Sequence, residues 1–295
     1  MELISAKKIL SNWSDGSSWF GSNYGMNIYK GCSHGCIYCD SRSECYRVER
    51  FDEVRAKENV LQLLEQELMS KRRKGIVANG AMSDPYNPQE AKYKLTRASL
   101  ELLDKYGFGG SLLTKSNLIL RDLDILQKIR SHSPMIVKFT ITTFDDSLCK
   151  KVEPKVSVTS KRLDALEKIA SAGLFTGILL WPLLPFINDT EENIEAIVEA
   201  AAHKGASFVA PMFGVTLRQN QRVYFYQQLD KLFPGVKEKY IKTYGYSYEC
   251  YSINQDKLYK TFKALCKKHG LIYKMSDIRR ALIKPYETQQ ISFLR

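Results

Sequence analysis

The amino-acid sequence predicts an α/β fold in which six strands alternate with helices, and two observations support this prediction. Short apolar runs without polar alternation recur through most of the chain. Such runs are typical of strands that are buried on both faces of a parallel sheet. Between the runs lie segments whose apolar residues recur at helical spacing. Because each helix returns the chain to the same end of the sheet, we expect the strands to be parallel.

The strands are predicted from local composition. The run MIVKFTITT is rich in β-branched residues, which favour the extended backbone of a strand. Two glycines open the run GGSLLTKS, and the other runs are short and apolar in the same way. The predicted strands are, in order, about 24–30, 75–81, 109–116, 135–143, 175–184 and 206–215.

The helices are predicted from one apolar face and from signals at their ends. In the first helical segment, Val60, Leu64 and Leu68 fall on one face. Gly173 stands where a C-terminal cap is expected, and acidic residues open the segment that ends before Gly205. The predicted helices are about 55–73, 96–106, 121–129, 161–173 and 188–205, with a further one at 256–270.

Three cysteines crowd the stretch NIYKGCSHGCIYCDSR, where Cys32, Cys36 and Cys39 have the spacing C-x3-C-x2-C. A disulfide would leave one of these sulfurs unpaired, and the chain has an odd total of seven cysteines. Structural zinc normally takes four protein ligands, so zinc would also need Cys45 or His34. A four-iron cluster can use three thiolates and leave one iron open to a ligand that is not protein. The spacing favours the cluster and leaves zinc as the alternative.

The same stretch resembles a known family. The pattern N-x-Y-x-G-C-x-H-x-C-x-Y-C is similar to that of radical S-adenosylmethionine enzymes, and in particular of the branch that resembles spore photoproduct lyases. The resemblance extends over roughly residues 4–215. Further motifs that carry it are GAMSDPYNP at 80–88, TKS at 114–116, FTITT at 139–143, EP at 153–154, RLDAL at 162–166 and PLLPFIND at 182–189.

The resemblance implies a fold and a chemistry. The fold would be a partial (β/α)6 barrel of the TIM type, in which functional residues gather at the C-terminal ends of the strands. Cys32, Cys36 and Cys39 would bind a [4Fe-4S] cluster whose fourth iron holds S-adenosylmethionine. An electron from a low-potential donor of the flavodoxin or ferredoxin type would cleave that cofactor to a 5′-deoxyadenosyl radical. The radical would abstract a hydrogen atom from a substrate that the resemblance does not identify.

Five further residues match motif positions that imply contact with S-adenosylmethionine. Ser83 would lie near the methionine amine, with Asp84 beside it, and Lys115 would pair with the carboxylate. Thr140 would face the ribose, and Tyr38 would lie near the adenine or the substrate. We expect His34 to support the loop rather than to bind metal. Cys45, Cys149, Cys250 and Cys266 receive no role, and nothing in their spacing indicates a second cluster.

Two positions depart from the pattern of spore photoproduct lyases proper. Those enzymes carry a cysteine just ahead of the Ser-Asp pair, and this thiol returns a hydrogen atom to the repaired thymine. Here Ala81 takes that place, and Asp40 stands where a tyrosine commonly follows the last cluster cysteine. Because alanine has no transferable hydrogen atom, the sequence predicts that this chain does not repair spore photoproduct efficiently.

Composition indicates the setting and possible partners. The sequence is 44% hydrophobic and 26% charged, with no apolar run long enough to cross a membrane and no secretory signal, so we expect a soluble protein in a reducing cytoplasm. Residues 215–295 hold sixteen Lys and Arg against six Asp and Glu, and ten of the seventeen tyrosines. A basic surface with aromatic residues is one feature of nucleic-acid binding. It is also what a solvated helix on a barrel presents.

The sequence thus predicts an N-terminal extension at 1–23, a barrel at 24–214, and a basic, tyrosine-rich, mainly helical extension at 215–295 that packs on the barrel. The predicted function is reductive cleavage of S-adenosylmethionine followed by hydrogen abstraction from a substrate, which nucleic acid could provide. The alternative is a non-catalytic iron-sulfur or zinc protein that binds nucleic acid. The motifs at successive strand ends favour the enzyme, since a purely structural cluster would not need them.

Overall fold

The structure is a computed structural model that describes residues 1–13 and 19–287. The sequence also predicts a loop at 14–18 and an irregular tail at 284–295. The loop and residues 288–295 of the tail lie outside the described residues. None of the described helices is long and apolar enough to span a membrane.

Strands and helices alternate from residue 55 to residue 211, as the sequence predicts, whereas five short strands follow one another before the first α-helix. The strands are β1 (Leu3–Ile4), β2 (Leu10–Asn12), β3 (Tyr24–Met26), β4 (Tyr29–Lys30), β5 (Arg55–Lys57), β6 (Ile76–Asn79), β7 (Gly109–Thr114), β8 (Met135–Thr140), β9 (Phe175–Leu180), β10 (Phe208–Pro211), β11 (Gly214–Thr216) and β12 (Glu249–Tyr251). The helices are α1 (Val60–Ser70), α2 (Glu90–Tyr93), α3 (Leu95–Lys105), α4 (Leu123–His132), α5 (Asp146–Val152), α6 (Thr159–Ser171), α7 (Glu191–His203), α8 (Gln221–Leu232), α9 (Val236–Tyr244), α10 (Gln255–Lys268) and α11 (Met275–Ile283).

The main sheet has seven strands in the order β10-β9-β8-β7-β6-β3-β2. Each neighbouring pair from β3 to β10 is parallel, and only β2 runs antiparallel, at the outer edge of β3. The prediction of a mixed α/β fold with a parallel-strand sheet is therefore confirmed. Because the strands are parallel, their C-terminal ends lie together at one edge of the sheet, and the loops that follow them meet there.

The two faces of the sheet have different neighbours. In β8, Val137 and Phe139 pack in the main core against the surrounding helices, while Ile136 packs with Phe20 on the opposite face. Side chains alternate along a strand, so Lys138 shares the face of Ile136. Its ammonium group donates to the Ser111 hydroxyl and lies 4.7 Å from the centre of the Phe20 ring. Burial lowers the pKa of Lys138 to about 7.

Two predicted strands differ from the structure. The strand expected at about 24–30 is two short strands, because β3 pairs with β6 whereas β4 leaves the main sheet and pairs with β5. The strand expected at 206–215 is also divided, since β11 pairs with β12 rather than continuing β10. In both cases the two halves of one continuous apolar run pair with different neighbouring strands, and local composition does not indicate this change.

The chain beyond β10 packs in two places. Helix α10 lies against α7, and its Leu258, Phe262 and Cys266 belong to the main core. Helix α11 lies near the N-terminal ends of the strands, because Ile278 packs with Ile76 at the start of β6. By contrast, β11, α8, α9 and β12 pack around the loop between β4 and β5, which carries the three cysteines.

Candidate functional site

The cysteine loop runs from β4 to β5 at the C-terminal edge of the sheet. Cys32, Cys36 and Cys39 all carry free thiols. Gly31, which precedes the first of them, has a φ of +82°, and a Cβ atom there would lie 2.3 Å from the carbonyl oxygen of Glu53. Only glycine fits this turn without displacing backbone. The turn therefore depends on the residue that the motif places before the first cysteine.

Backbone hydrogen bonds hold the loop on two sides. The Cys32 amide donates to Phe51 at 2.7 Å. On the other side, the Ile37 amide donates to the carbonyl oxygen of Val152 at 3.0 Å, and the Lys155 amide donates to that of His34 at 3.1 Å. The segment that follows α5 thus lies alongside the loop.

The three thiols have different surroundings. Burial alone would raise the pKa of the Cys32 thiol, but the neighbouring His34 ring more than offsets this effect and lowers the pKa below its usual value. Burial raises the pKa of Cys39, and that of Cys36 rises well above its usual range, although the positive charge of Lys115 acts in the opposite direction on both. Thiols kept protonated by burial are stabilised as thiolates when they bind a metal.

The donor set of the cysteine loop fits a four-iron cluster. Within residues 1–13 and 19–287, no group of three or more His, Cys, Asp or Glu is arranged to hold one metal ion. In a four-iron cluster each thiolate binds a different iron, so the sulfurs need only surround the cluster and need not converge on one point. The donor set of three free thiols in one loop suits that arrangement. Their assignment as ligands remains a prediction.

Ser83, in the loop after β6, is buried beside the cysteine loop. Its hydroxyl group donates a 2.6 Å hydrogen bond to the carbonyl oxygen of Gly31. Because the hydroxyl proton is used in this way, the oxygen can offer only its lone pairs to a ligand. An acceptor is what the amine of S-adenosylmethionine requires, so the geometry is compatible with the predicted contact.

Asp84 joins the loops after β6 and β7. One carboxylate oxygen accepts from the Thr114 hydroxyl at 2.7 Å and from the Tyr86 amide at 2.8 Å. The other accepts from the Lys115 amide at 2.7 Å and lies 3.6 Å from Nδ1 of His34. These contacts engage both oxygens with the protein, so Asp84 organises the site. Its direct contact with the cofactor stays a prediction.

The Lys115 ammonium group lies among anions without touching one. Among the described residues it forms no ion pair within 4.0 Å, and it lies 5.9 Å from the centre of the Tyr38 ring. Burial would lower the pKa of Lys115, but Cys36, Glu153 and Asp84 nearby raise it above its usual value. Lys115 is therefore charged and available to a ligand carboxylate.

Tyr38 and Thr140 are both buried, and the structure connects them through two residues that the sequence analysis does not assign to the site. The Tyr38 hydroxyl donates to the carboxylate of Glu153, which also pairs with Arg162. Arg162 in turn donates to the carbonyl oxygen of Thr140. The motifs EP and RLDAL contain both residues, but nothing in the chain marks them as partners of Tyr38.

Two buried polar atoms near these strand ends have no hydrogen-bond partner among the described residues. They are Nδ2 of Asn79, at the end of β6, and Oγ1 of Thr142, two residues beyond β8. Buried polar groups in proteins nearly always have partners, so unpaired ones indicate a place where a polar ligand fits.

The other four cysteines lie outside the cysteine loop. Cys45 is exposed, with its sulfur 3.9 Å from the Arg218 guanidinium, and Cys266 is buried in the main core. Cys149 is buried against Glu153, to which its thiol donates at 3.7 Å. Cys250 is buried among residues of the C-terminal part. The structure thus places Cys45 at the surface, outside the buried cysteine loop.

Residues 214–251 cover the cysteine loop. Phe225 and Cys250 pack in one apolar cluster with Cys36 and Tyr38. The buried Gln221 side chain donates to the carbonyl oxygen of Tyr38 at 3.0 Å. We call residues 214–251 the cover; it keeps water away from one side of the loop.

Ala81 and Asp40, the two departures from spore photoproduct lyases, lie near the loop as well. Ala81 is exposed. The Asp40 carboxylate accepts from the Tyr46 hydroxyl at 2.8 Å and pairs with Arg218 of the cover at 3.2 Å. Asp40 therefore ties the end of the cysteine loop to the cover.

Known proteins resemble this chain in sequence and in fold. An uncharacterized protein of Mycobacterium tuberculosis is 31% identical to it, over 75% of this chain and 67% of that protein. An uncharacterized protein of Methanocaldococcus jannaschii is 36% identical, over 58% of this chain and 64% of that protein. A structure of spore photoproduct lyase complexed with dinucleoside spore photoproduct has a TM-score of 0.67 at 16% identity, and the match covers 90% of this chain and 79% of that one. A radical S-adenosylmethionine methyltransferase from Kitasatospora setae has a TM-score of 0.55 at 12% identity, over 82% of this chain and 51% of that one.

At these identities the structural matches show a shared fold and no more. The family model described as the radical SAM superfamily matches residues 26–201, which include the cysteine loop and the strand ends that meet it. This chain belongs to the radical S-adenosylmethionine superfamily.

Proposed function

We propose that the protein is an enzyme that binds a [4Fe-4S] cluster through Cys32, Cys36 and Cys39 and uses it to cleave S-adenosylmethionine reductively. The observation that carries this proposal is the arrangement of Ser83 and Lys115 beside the cysteine loop. The Ser83 hydroxyl is left as an acceptor, and the Lys115 ammonium group has no ion pair among the described residues. An amino-acid ligand would need one such group for its amine and one for its carboxylate. A purely structural cluster would need neither.

Held by Cys32, Cys36 and Cys39, the reduced cluster would supply the one electron that cleavage of S-adenosylmethionine consumes, and the cleaved cofactor would supply the radical that takes a hydrogen atom from the substrate. The chain's own residues would bind S-adenosylmethionine and orient it. Lys115 would hold the carboxylate by a charge-assisted hydrogen bond, and Ser83 would accept from the amine. Thr140 would exchange hydrogen bonds with the ribose. Tyr38 and the cover would exclude water from one side of the site, which favours controlled radical chemistry.

Two partners belong to this proposal. An electron donor of the flavodoxin or ferredoxin type would reduce the cluster. Nucleic acid is the second candidate partner, because the cover and the residues just after it carry exposed apolar side chains. The Tyr246 side chain is 96% exposed, and the others are Tyr248, Tyr251 and Ile253. Rings in such positions can stack on bases. The substrate would differ from spore photoproduct, since Ala81 lacks the thiol that quenches the thymine radical.

Anaerobic reconstitution tests the proposal. The protein should bind about four irons and four sulfides per chain and produce 5′-deoxyadenosine from S-adenosylmethionine when it receives a low-potential reductant. Deuterium-labelled candidate substrates, including single-stranded oligonucleotides, would then be screened for transfer of label into 5′-deoxyadenosine. A protein that assembles the cluster but never cleaves S-adenosylmethionine would contradict the proposal and favour the non-catalytic alternative.

A further inference from the structure

A buried ion pair lies directly behind the cysteine loop. Glu153 and Arg162 are 1% and 0% exposed. Burial would raise the pKa of Glu153, but the Arg162 guanidinium, with help from Lys115, lowers it below its usual value, so the carboxylate is ionised. Removing two charges from water costs much of what their attraction gains, so a buried ion pair adds little stability of its own. Its evident effect is to fix the geometry of the groups around it.

The ion pair has contacts in two directions. One carboxylate oxygen of Glu153 accepts from the hydroxyl of Tyr38, which lies between the second and third cluster cysteines. The other accepts from Arg162. Arg162 also donates to the carbonyl oxygens of Thr140, at the end of β8, and of Ser157, the latter at 2.6 Å. A continuous set of hydrogen bonds therefore joins the cysteine loop to the strand end at which the ribose contact is predicted.

Backbone contacts reinforce this connection. Glu153 lies between Val152, which accepts from the Ile37 amide, and Pro154. A Cβ atom at Gly35 would lie 3.2 Å from the Pro154 ring. The segment around Glu153 thus lies against the cysteine loop on both sides of Cys36, with Gly35 before it and Ile37 and Tyr38 after it.

We propose that Glu153 is a positioning residue for the radical reaction: through Tyr38 and Arg162 it fixes the turn from Cys36 to Cys39 relative to Thr140. This inference rests on the proposed function. Its physical basis is that a radical must form within reach of the hydrogen atom it removes, and a displacement of about 1 Å can cost about a hundredfold in rate.

The first test uses the protein without cluster or cofactor and measures the alkylation rate of each cysteine by mass spectrometry. In Tyr38→Phe, which removes the hydrogen bond but keeps the carboxylate, Cys36 and Cys39 should react about fivefold faster, because the loss of one buried hydrogen bond favours local opening. Cys266, buried in the main core, should be unaffected. The control Thr176→Val removes a different buried hydrogen bond, 2.9 Å long, between β9 and β8. It should leave both loop cysteines unchanged.

Glu153→Gln gives the second variant. It also removes a negative charge near Cys36, so it should accelerate alkylation at least as much as Tyr38→Phe does. Combining Tyr38→Phe with Glu153→Gln should add little further, because both break the same link. Unchanged rates at Cys36 and Cys39 in Tyr38→Phe would overturn the proposal, and so would an equal acceleration of Cys266, which would indicate general loosening.

The second test uses the reconstituted enzyme. Glu153→Gln, at a residue with no predicted cofactor contact, should keep the wild-type iron content and affinity for S-adenosylmethionine while the rate of its cleavage at saturation falls about tenfold or more. An unchanged rate would refute the positioning role. If the wild type itself cleaves no S-adenosylmethionine, the proposed function fails, whereas the alkylation result still decides whether Glu153 restrains the loop.

Discussion

The hydroxyl group of Ser83 donates a 2.6 Å hydrogen bond to the backbone carbonyl oxygen of Gly31. This bond joins the loop after β6 to the residue that starts the cysteine turn. It uses the only proton that the side chain has, so Ser83 is left as a hydrogen-bond acceptor. With the ammonium group of Lys115 nearby, the site presents one acceptor and one cation beside three thiols, which matches an amino acid bound through its amine and carboxylate.

Binding of the cluster should depend on the three cysteines of the C-x3-C-x2-C motif and not on Cys45. Changing Cys32, Cys36 or Cys39 to Ala should abolish both iron binding and cleavage of S-adenosylmethionine after anaerobic reconstitution. Cys45→Ala should spare both, because Cys45 lies at the surface beside Arg218. Iron and sulfide analysis with a 5′-deoxyadenosine assay measures this. If Cys45→Ala also destroys the cluster, three-ligand binding with an open iron is wrong.

Lys115→Met should weaken the binding of S-adenosylmethionine and leave the iron content unchanged. The variant removes a charge-assisted contact of ~1.5–3 kcal/mol, which corresponds to roughly tenfold to a hundredfold in the dissociation constant. Equilibrium binding to the anaerobic protein measures it, and Lys155→Met, which also lies beside the loop, serves as the control for charge. An unaltered dissociation constant for Lys115→Met would show that this lysine does not bind the cofactor.

Single-stranded nucleic acid should bind through the cover. Tyr246→Ala with Tyr248→Ala should weaken the binding of single-stranded oligonucleotides, since each stacked base contributes ~1–3 kcal/mol. Charge removal at Lys267, Lys268 and Arg279 should have less effect, because α10 and α11 pack away from the cysteine loop. Titrations at several salt concentrations measure both effects. The binding constant should fall by about one power of the salt concentration for each phosphate contact. The absence of any binding at low salt would contradict the prediction.

Spore photoproduct should be a poor substrate. The protein has Ala81 where a hydrogen-donating cysteine would stand, so a thymine radical formed there would not be quenched. Chromatography of an anaerobic reaction with the dinucleoside photoproduct should show little thymine. Ala81→Cys should raise the yield if the missing thiol is the main defect. Efficient turnover to thymine by the wild type would show this prediction to be wrong.

Lys138 should make the stability depend on pH. Burial lowers the pKa of its ammonium group from 10.5 to about 7 in the folded protein. Between these values the unfolded chain binds more protons than the folded one, so the free energy of unfolding should rise with pH across that window. Lys138→Met removes this dependence. The free energy of unfolding of the variant relative to the wild type should therefore be largest below pH ~7 and should fall by at most about 5 kcal/mol as the pH rises to ~10.

Denaturant unfolding at several pH values measures this difference, with the exposed Lys161→Met as the control for loss of one positive charge. A difference between Lys138→Met and the wild type that stays constant with pH would show that Lys138 is not the group that titrates.

The sequence by itself determined the features that depend on neighbours along the chain. Three cysteines at a fixed spacing lie in one loop whatever the rest of the chain does, and the positive φ of Gly31 suits a residue that has no side chain. The alternation of apolar runs with amphipathic segments was sufficient to predict parallel strands, because burial on both faces selects continuous apolar composition. The order of the motifs then placed Ser83 and Lys115 at neighbouring strand ends.

Only the tertiary structure decided which distant residues meet. Tyr38 and Glu153 are 115 residues apart, and no local pattern indicates that they share a hydrogen bond. The split of the strand predicted at 24–30 follows from a change of pairing partner, and the covering of the cysteine loop follows from the packing of Phe225 and Cys250 against it. Pairing and packing depend on the shape of the whole molecule, whereas composition and spacing record only local preference.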